Sequence, residues 1–471
     1  MSARALFVGG TSSNAGKSWM TTAICAWLRR RGVSVAPFKA QNMSNNSYPC
    51  AGGGEIGRAQ VAQAEACGLE PEPAMNPVLL KPNGDGTSQV VINGRVWKTL
   101  SAREYYMHAR QLRDVVSAAY DELARRFDVV VIEGAGSVTE LNLRPHDIVN
   151  LDLVTRIRAP WMLVADIERG GVFASVIGTV NLLTPEERAL FRGFAINRFR
   201  GDPTLFEDGV RLLEEHTGAP CLGVFPYAPD VVLDAEDSLA TGMPARIPAP
   251  AGARVAIIRL PCVSNTTDFR LLPWADWITS PPSAGYDVVI LPGSKHTIAD
   301  LDWLHETGLA DWIVAEHRRG AKVVGICGGF QILGRTVSDP DGVESTRAHA
   351  RGLGLVPADT VLQADKTTRV VSATTAGGER FGGYEIHLGT TQIDRGADVM
   401  PFARLDDGTT DGIVMSGLVG TYLHGALEHR RVCEEILGVR LPEGVTGAKH
   451  YDRLADWFEA YVRCPEVLGV G

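Results

Sequence analysis

The sequence predicts two α/β domains in succession, each built on a parallel, doubly wound sheet. Three observations predict this. Short apolar runs alternate with helical stretches along most of the chain, and strand–helix alternation builds parallel sheets covered by helices on both faces. Two glycine-rich turns, Gly9–Ser18 and Gly325–Gly329, each stand between a buried strand and a helix, the edge at which open α/β sheets keep their ligands. Between them, residues 241–252 read Thr-Gly-Met-Pro-Ala-Arg-Ile-Pro-Ala-Pro-Ala-Gly, a composition that suits a linker. The expected domains are therefore 1–240 and 253–471, the second closing with a C-terminal helix.

The 471 residues suffice for two or three cores, and 45% hydrophobic with 21% charged residues is ordinary globular composition. A net charge of −9 argues against a general nucleic-acid binder. It leaves room for an acidic small molecule in a local basic pocket. The eight cysteines show no CxxC and no metal-ligand spacing, so they read as reduced thiols of a cytoplasmic protein. Met1-Ser-Ala-Arg4 leads straight into the strand Ala5–Val8 with no signal-peptide pattern. No apolar run reaches the ~18 residues of a membrane span.

In the first domain, strand Ala5–Val8 is followed by Gly9-Gly-Thr-Ser-Ser-Asn-Ala-Gly-Lys-Ser18 and a helix that closes on Arg29-Arg-Arg31 and Gly32. This is a P-loop in its proper context. Backbone N–H groups of Gly10, Thr11, Ser12, Asn14, Ala15 and Gly16 cradle phosphates, Lys17 reaches the transferred phosphate, and the Ser18 hydroxyl suits Mg²⁺. The strict pattern wants glycine where Thr11 stands; Gly10 lies one place earlier.

Strand Val33–Pro37 delivers Phe38-Lys-Ala-Gln-Asn-Met-Ser-Asn-Asn-Ser47, so dense in amides and hydroxyls that it predicts a polar ligand surface. Gly52–Gln60 is a second polar, glycine-rich turn. Residues 102–126 carry Tyr105, Ala109, Leu112, Val116, Ala119 and Leu123 at spacings of four and three, which predicts one long amphipathic helix with a core face. The apolar strand ending in Glu133-Gly-Ala-Gly-Ser137 puts an acid at the ligand edge, and Glu133 joins Ser18 as a candidate Mg²⁺ group. Asn197, ending a later strand, either reads a purine edge or caps a turn.

In the second domain, Lys322–Ile326 is a buried strand and Phe330–Leu333 opens a helix, with Cys327 on the tight turn between them. Glycines two before and two after a nucleophile suit such a strained elbow. The helix dipole favours the thiolate, and the Gly328 N–H can help hold an oxyanion. Gly293-Ser294-Lys295, after strand Tyr286–Leu291, can present further N–H groups to Cys327. A cysteine nucleophile needs a base. Both His387 and His424 are flanked by glycines; His424 is preferred because it sits at a strand end with Gly425 opening the backbone, and His387 is left an orienting or packing role.

With these residues placed, the P-loop resembles the variant of dethiobiotin synthetase-like ATPases, and the second domain resembles a class I glutamine amidotransferase. The whole chain resembles the cobyric acid synthase family. Carrying segments run from Gly9–Ser18 and Phe38–Ser47 through Leu260–Asp268 and Gly325–Gly334 to Gly420–Gly425 and Tyr451–Trp457. The resemblance implies ATP- and glutamine-dependent amidation of the b, d, e and g carboxylates of adenosylcobyrinic acid a,c-diamide, with Mg²⁺ and ATP at the first domain and Cys327–His424 releasing ammonia at the second. It suggests the corrinoid polycarboxylate is held by Lys39, Asn42, Asn45, Glu55, Arg58, Gln60, Arg169 and Arg200. In the wider amidotransferase group a glutamate two residues after the histidine completes a triad; here that residue is Ala426. Two rivals are an a,c-diamide synthase-like amidase and a partition-type ATPase switch, though such switches carry a lysine near the start of the P-loop that Gly9-Gly10-Thr11 lacks. A homo-oligomer is compatible with the sequence.

Overall fold

The computed structural model describes residues 3–83, 86–228, 254–345, 347–394, 396–442 and 451–470. The expected linker, 241–252, lies outside the described residues.

The first sheet has six strands, all parallel. Their order is Cys221–Pro226, Phe191–Phe199, Trp161–Asp166, Arg4–Gly10, Val129–Glu133, Val35–Phe38. The central strands Leu6–Val8 and Val129–Ile132 are apolar without interruption because helices cover both faces. The P-loop leaves the middle of this sheet. Gly16 caps the following helix at φ 98°, and a side chain there would run into Asn197, so this position requires glycine. A smaller sheet, Gln41–Met43, Val78–Pro82, Thr87–Ile92 and Arg95–Ser101, flanks the polar loop. The expected long helix is two: Ala102–Met107, opened by the Ser101 capping box, and Ala109–Arg126. They meet at His108, whose ring packs edge-on to Trp97; the break is compatible with an unbroken apolar face, which is why spacing alone did not reveal it.

The second sheet runs Asp276–Ile278, Val255–Ile258, Val288–Leu291, Lys322–Ile326, Leu418–Thr421, Ile413–Met415, parallel except for the last pair. A long antiparallel hairpin, Ala358–Thr375 with Arg380–Ile393, adds a further sheet. Its register breaks between Leu362 and Thr367, and such a break re-aims side chains; Lys366 lies in it.

The C-terminal helix, Tyr451–Tyr461, does not pack where the sequence grouped it. Leu454, Ala455, Trp457 and Phe458 are buried with Leu6, Ile24, Trp27 and Phe225 of the first domain. The Arg463 N–H donates to Leu222 C=O at 2.8 Å and the Trp457 indole to Pro226 C=O at 3.0 Å. The helix thus completes the core beneath the P-loop helix.

Candidate active sites in the two domains

Cys327 occupies the turn between strand Lys322–Ile326 and helix Gly328–Leu333 with φ 51° and ψ −110°. A non-glycine residue at positive φ is strained and needs its surroundings to hold it. The Cys327 N–H donates to Thr421 C=O at 2.7 Å, and the Gln331 N–H to Cys327 C=O at 3.1 Å. A side chain on Gly329 would meet Leu291 C=O at 2.0 Å, so only glycine lets the turn approach the neighbouring strand. The Ser294 backbone lies directly against Gly328, and Gly293 against the His424 ring. These three expected residues therefore do gather around Cys327. The Ser294 hydroxyl itself donates to Asp300 at 2.6 Å.

His424 and Asp268 supply the rest. His424 Nδ1 is 2.8 Å from Asp268 Oδ2, and the Gly425 N–H donates to Asp268 Oδ1 at 2.7 Å. Both side chains are essentially inaccessible, at 0% and 1% exposure. Burial pulls the imidazole pKa down, but the Asp268 charge and hydrogen bond, with Cys327 adding, raise it to about 10. The acid absent at Ala426 thus has a geometric counterpart in Asp268 of the turn Thr266–Phe269, far back in the chain. Sequence reasoning marked the segment Leu260–Asp268 without assigning this role, because nothing local pairs residues so far apart. His387 lines the cavity at Cys327, stacked on Tyr422 at 4.0 Å with its Nδ1 2.9 Å from Gly389 C=O.

The cavity at Cys327 holds about 50 Å³ and lies between the domains. Asn45, Ser47 and Lys81 reach it from the first domain, and Lys295, Glu344 and Lys366 from the second. Burial, helped by the neighbouring Lys366 charge, pushes Lys295 down to about 8, and burial pushes Glu344 up to about 8.

In the first domain, Lys17 curls over Gly10 and donates to Ser12 C=O at 3.0 Å and Gly136 C=O at 2.9 Å. Ser18 donates to Glu133 Oε1 at 2.8 Å, and Lys39 donates to the same oxygen at 2.8 Å. Gln63, which the sequence reading passed over, donates to Glu133 Oε2. Asn197 donates to Ala15 C=O at 3.0 Å and so braces the P-loop turn. A cavity of about 720 Å³ opens before this group, lined by Asn14, Lys17, Lys39, Asn42, Asn45 and Tyr106 among others.

The expected corrinoid residues do not form one surface. Lys39, Asn42 and Asn45 line the large cavity. Glu55 is buried in ion pairs with Lys81 at 2.7 Å and with Lys366. Arg58 is buried over the Tyr48 ring, its guanidinium 3.4 Å from Glu428. Gln60 accepts from Asn42 at 2.8 Å. Glu55 and Arg58 brace the domain joint through partners in the second domain, whereas Gln60 bonds within the first. Arg169 and Arg200 are exposed, and neither lines the large cavity; Arg200 pairs with Glu168 at 2.6 Å and lies over Tyr227.

Fold and sites define the class: a P-loop nucleotide-binding domain joined to a glutamine amidotransferase domain. Family models agree. Residues 6–240 match the CobQ/CobB/MinD/ParA nucleotide binding domain and residues 254–432 the CobB/CobQ-like glutamine amidotransferase domain. The cobyric acid synthase of Syntrophobacter fumaroxidans is 44% identical over 99% of both chains. That of Mycolicibacterium vanbaalenii is 48% identical over 92% of this chain and 89% of its own. A solved glutamine amidotransferase, 17% identical, covers 39% of this chain and 99% of its own at a TM-score of 0.31. The chain belongs to the cobyric acid synthase family.

Proposed function

We propose that the protein uses ATP and glutamine to amidate the b, d, e and g carboxylates of adenosylcobyrinic acid a,c-diamide, giving adenosylcobyric acid. One observation carries the reading beyond family membership. Asn45 lines both the Cys327 cavity and the large cavity before Lys17, so the two cavities meet at one residue, as a passage of ammonia from one to the other requires.

At the glutaminase site, the proton shared by Cys327 and His424 Nε2 rests on the imidazole, whose pKa Asp268 raises, and the sulfur attacks the glutamine carboxamide carbon. Asp268 on Nδ1 holds the ring orientation and stabilises the imidazolium. The Gly328 and Ser294 backbones are near enough to cradle the oxyanion. The C–N bond then breaks, His424 returns the proton to the departing nitrogen, and water hydrolyses the thioester to glutamate. Lys295, Lys366 and Glu344, gathered in one cavity, offer hydrogen-bonding partners for the two charged ends of a free amino acid.

A carboxylate is a poor electrophile, so its oxygen first takes the terminal phosphoryl group of ATP. Lys17 and the loop N–H groups would hold the phosphates. Ammonia then attacks the acyl carbon and phosphate leaves. The Ser18 hydroxyl and Glu133 carboxylate, hard oxygen donors side by side, would hold Mg²⁺. When bound, the ion neutralises charge on the transferring phosphoryl group.

The test is mass spectrometry of adenosylcobyrinic acid a,c-diamide incubated with protein, MgATP and glutamine. Four acid-to-amide exchanges are expected, and Cys327→Ala should make them only when ammonium is supplied. Fewer exchanges would favour an a,c-diamide synthase-like amidase. An unchanged corrinoid alongside glutamate release would show the acceptor to be wrong.

A further inference from the structure

His424 is held from two sides. Asp268 takes Nδ1, and Asn265 reaches the other nitrogen: its side-chain amide lies 3.1 Å from Nε2. That nitrogen must exchange the proton with Cys327. Asn265 is buried, at 4% exposure, and its backbone is left-handed at φ 54°. Asparagine tolerates this region better than most residues, yet the conformation persists only when neighbours fix it.

The neighbour that fixes it belongs to the other domain. The Asn265 N–H donates to Asn46 Oδ1 at 2.8 Å. Asn46 is fully buried in the polar loop that follows strand Val35–Phe38. Its own N–H donates to Ser44 Oγ at 3.0 Å, and its carbonyl accepts from the Arg58 N–H at 3.0 Å. Ser44 and Asn45 of the same loop line the large cavity before the P-loop. One short stretch of chain therefore faces the phosphoryl-transfer site on one side and, through the Asn46–Asn265 hydrogen bond and the Asn265 amide, the glutaminase base on the other.

We propose that Asn46 and Asn265 are an interdomain positioning pair: Asn46 fixes the Asn265 backbone, and Asn265 aims His424 Nε2 at Cys327. The glutaminase is then competent only while the loop of the first domain is seated, which restricts ammonia release to a chain whose other site is assembled. This rests on the reading of Cys327 and His424 as the glutaminase pair.

The test uses the full-length protein and two assays, glutamate release from glutamine and amidation with ammonium as nitrogen source. Asn46→Ala should lower kcat for glutamate release by about tenfold or more, since small misplacement of a catalytic group is costly, with KM for glutamine within about twofold. Ammonium-driven amidation should stay within about twofold of wild type. Asn46→Asp, whose carboxylate accepts the same N–H, should restore most of the glutaminase rate. Asn265→Ala should reproduce the kcat loss. Wild-type glutamate release is the control, because its absence overturns the glutaminase reading itself. With that control positive, three outcomes overturn the inference: Asn46→Ala releasing glutamate at the wild-type rate, Asn46→Ala releasing it faster, or both alanine variants losing the two activities in parallel, which would assign the pair to fold maintenance.

Discussion

Asp268 commits both carboxylate oxygens to the His424 turn, one to the ring and one to the Gly425 N–H. Asp268→Asn should therefore lower glutamine-dependent turnover by on the order of 10²- to 10⁴-fold, the cost of removing the partner of a catalytic histidine, while ammonium-driven turnover persists. The pH signature has a definite sign. A histidine whose pKa is raised from 6.5 to about 10 in the folded protein contributes stability that is complete below 6.5 and is lost as pH rises towards 10. Melting temperatures across that window should fall less steeply for Asp268→Asn than for wild type. At the other site, Lys17→Ala should cut ATP-dependent amidation by about 10²- to 10³-fold, the usual loss on removing a group that stabilises developing charge, with glutamate release retained. Cys327 was legible in the sequence because an elbow is a local pattern, glycines at fixed offsets between strand and helix. Asp268 and Asn265 were not, because their partners are 156 and 159 residues away. Glu55 and Arg58 misled for a physical reason: polarity in a glycine-rich turn signals a polar environment, and a buried domain joint is one as readily as a ligand pocket.

Among the elements, strands such as Val129–Glu133 announced themselves by an uninterrupted β-branched run, here Val129–Ile132. The C-terminal helix announced only that it has an apolar face, since periodicity fixes the face of a helix and not the sheet it covers. Its Phe458 is fully buried, stacked on Phe225 at 5.8 Å and edge-on to Trp27 at 5.3 Å. Phe458→Ala should cost about 3–5 kcal/mol, as for other buried aromatics. The loss should appear in urea unfolding followed by the nucleotide-binding domain, for example through Trp27 fluorescence. A loss confined to the glutaminase domain would contradict the packing.

Across the whole molecule, Glu55 is the buried anion of the joint, between Lys81 of its own domain and Lys366 of the other. Burial would raise its pKa, but the two ammonium groups outweigh that and hold the carboxyl far below its usual 4.5. Glu55→Gln leaves both lysines buried without their carboxylate and should destabilise the protein by about 3–5 kcal/mol, far more than loss of an exposed pair such as Arg211–Asp208. Because the depressed carboxyl contributes stability above pH 4.5 and loses it as pH falls, the gap between variant and wild type should narrow on acidification. Calorimetry at neutral pH and below 4.5 checks both statements. The returning C-terminal helix orders events in time as well as space. The nucleotide-binding domain leaves the ribosome first, yet the cover that Trp457 and Phe458 give Trp27 and Phe225 arrives only with residues 451–470. The domain begun earliest is finished last, so a nascent chain must carry an open apolar face through the whole synthesis of the glutaminase, and a cut placed between the domains yields a soluble first half only if those last residues are supplied with it.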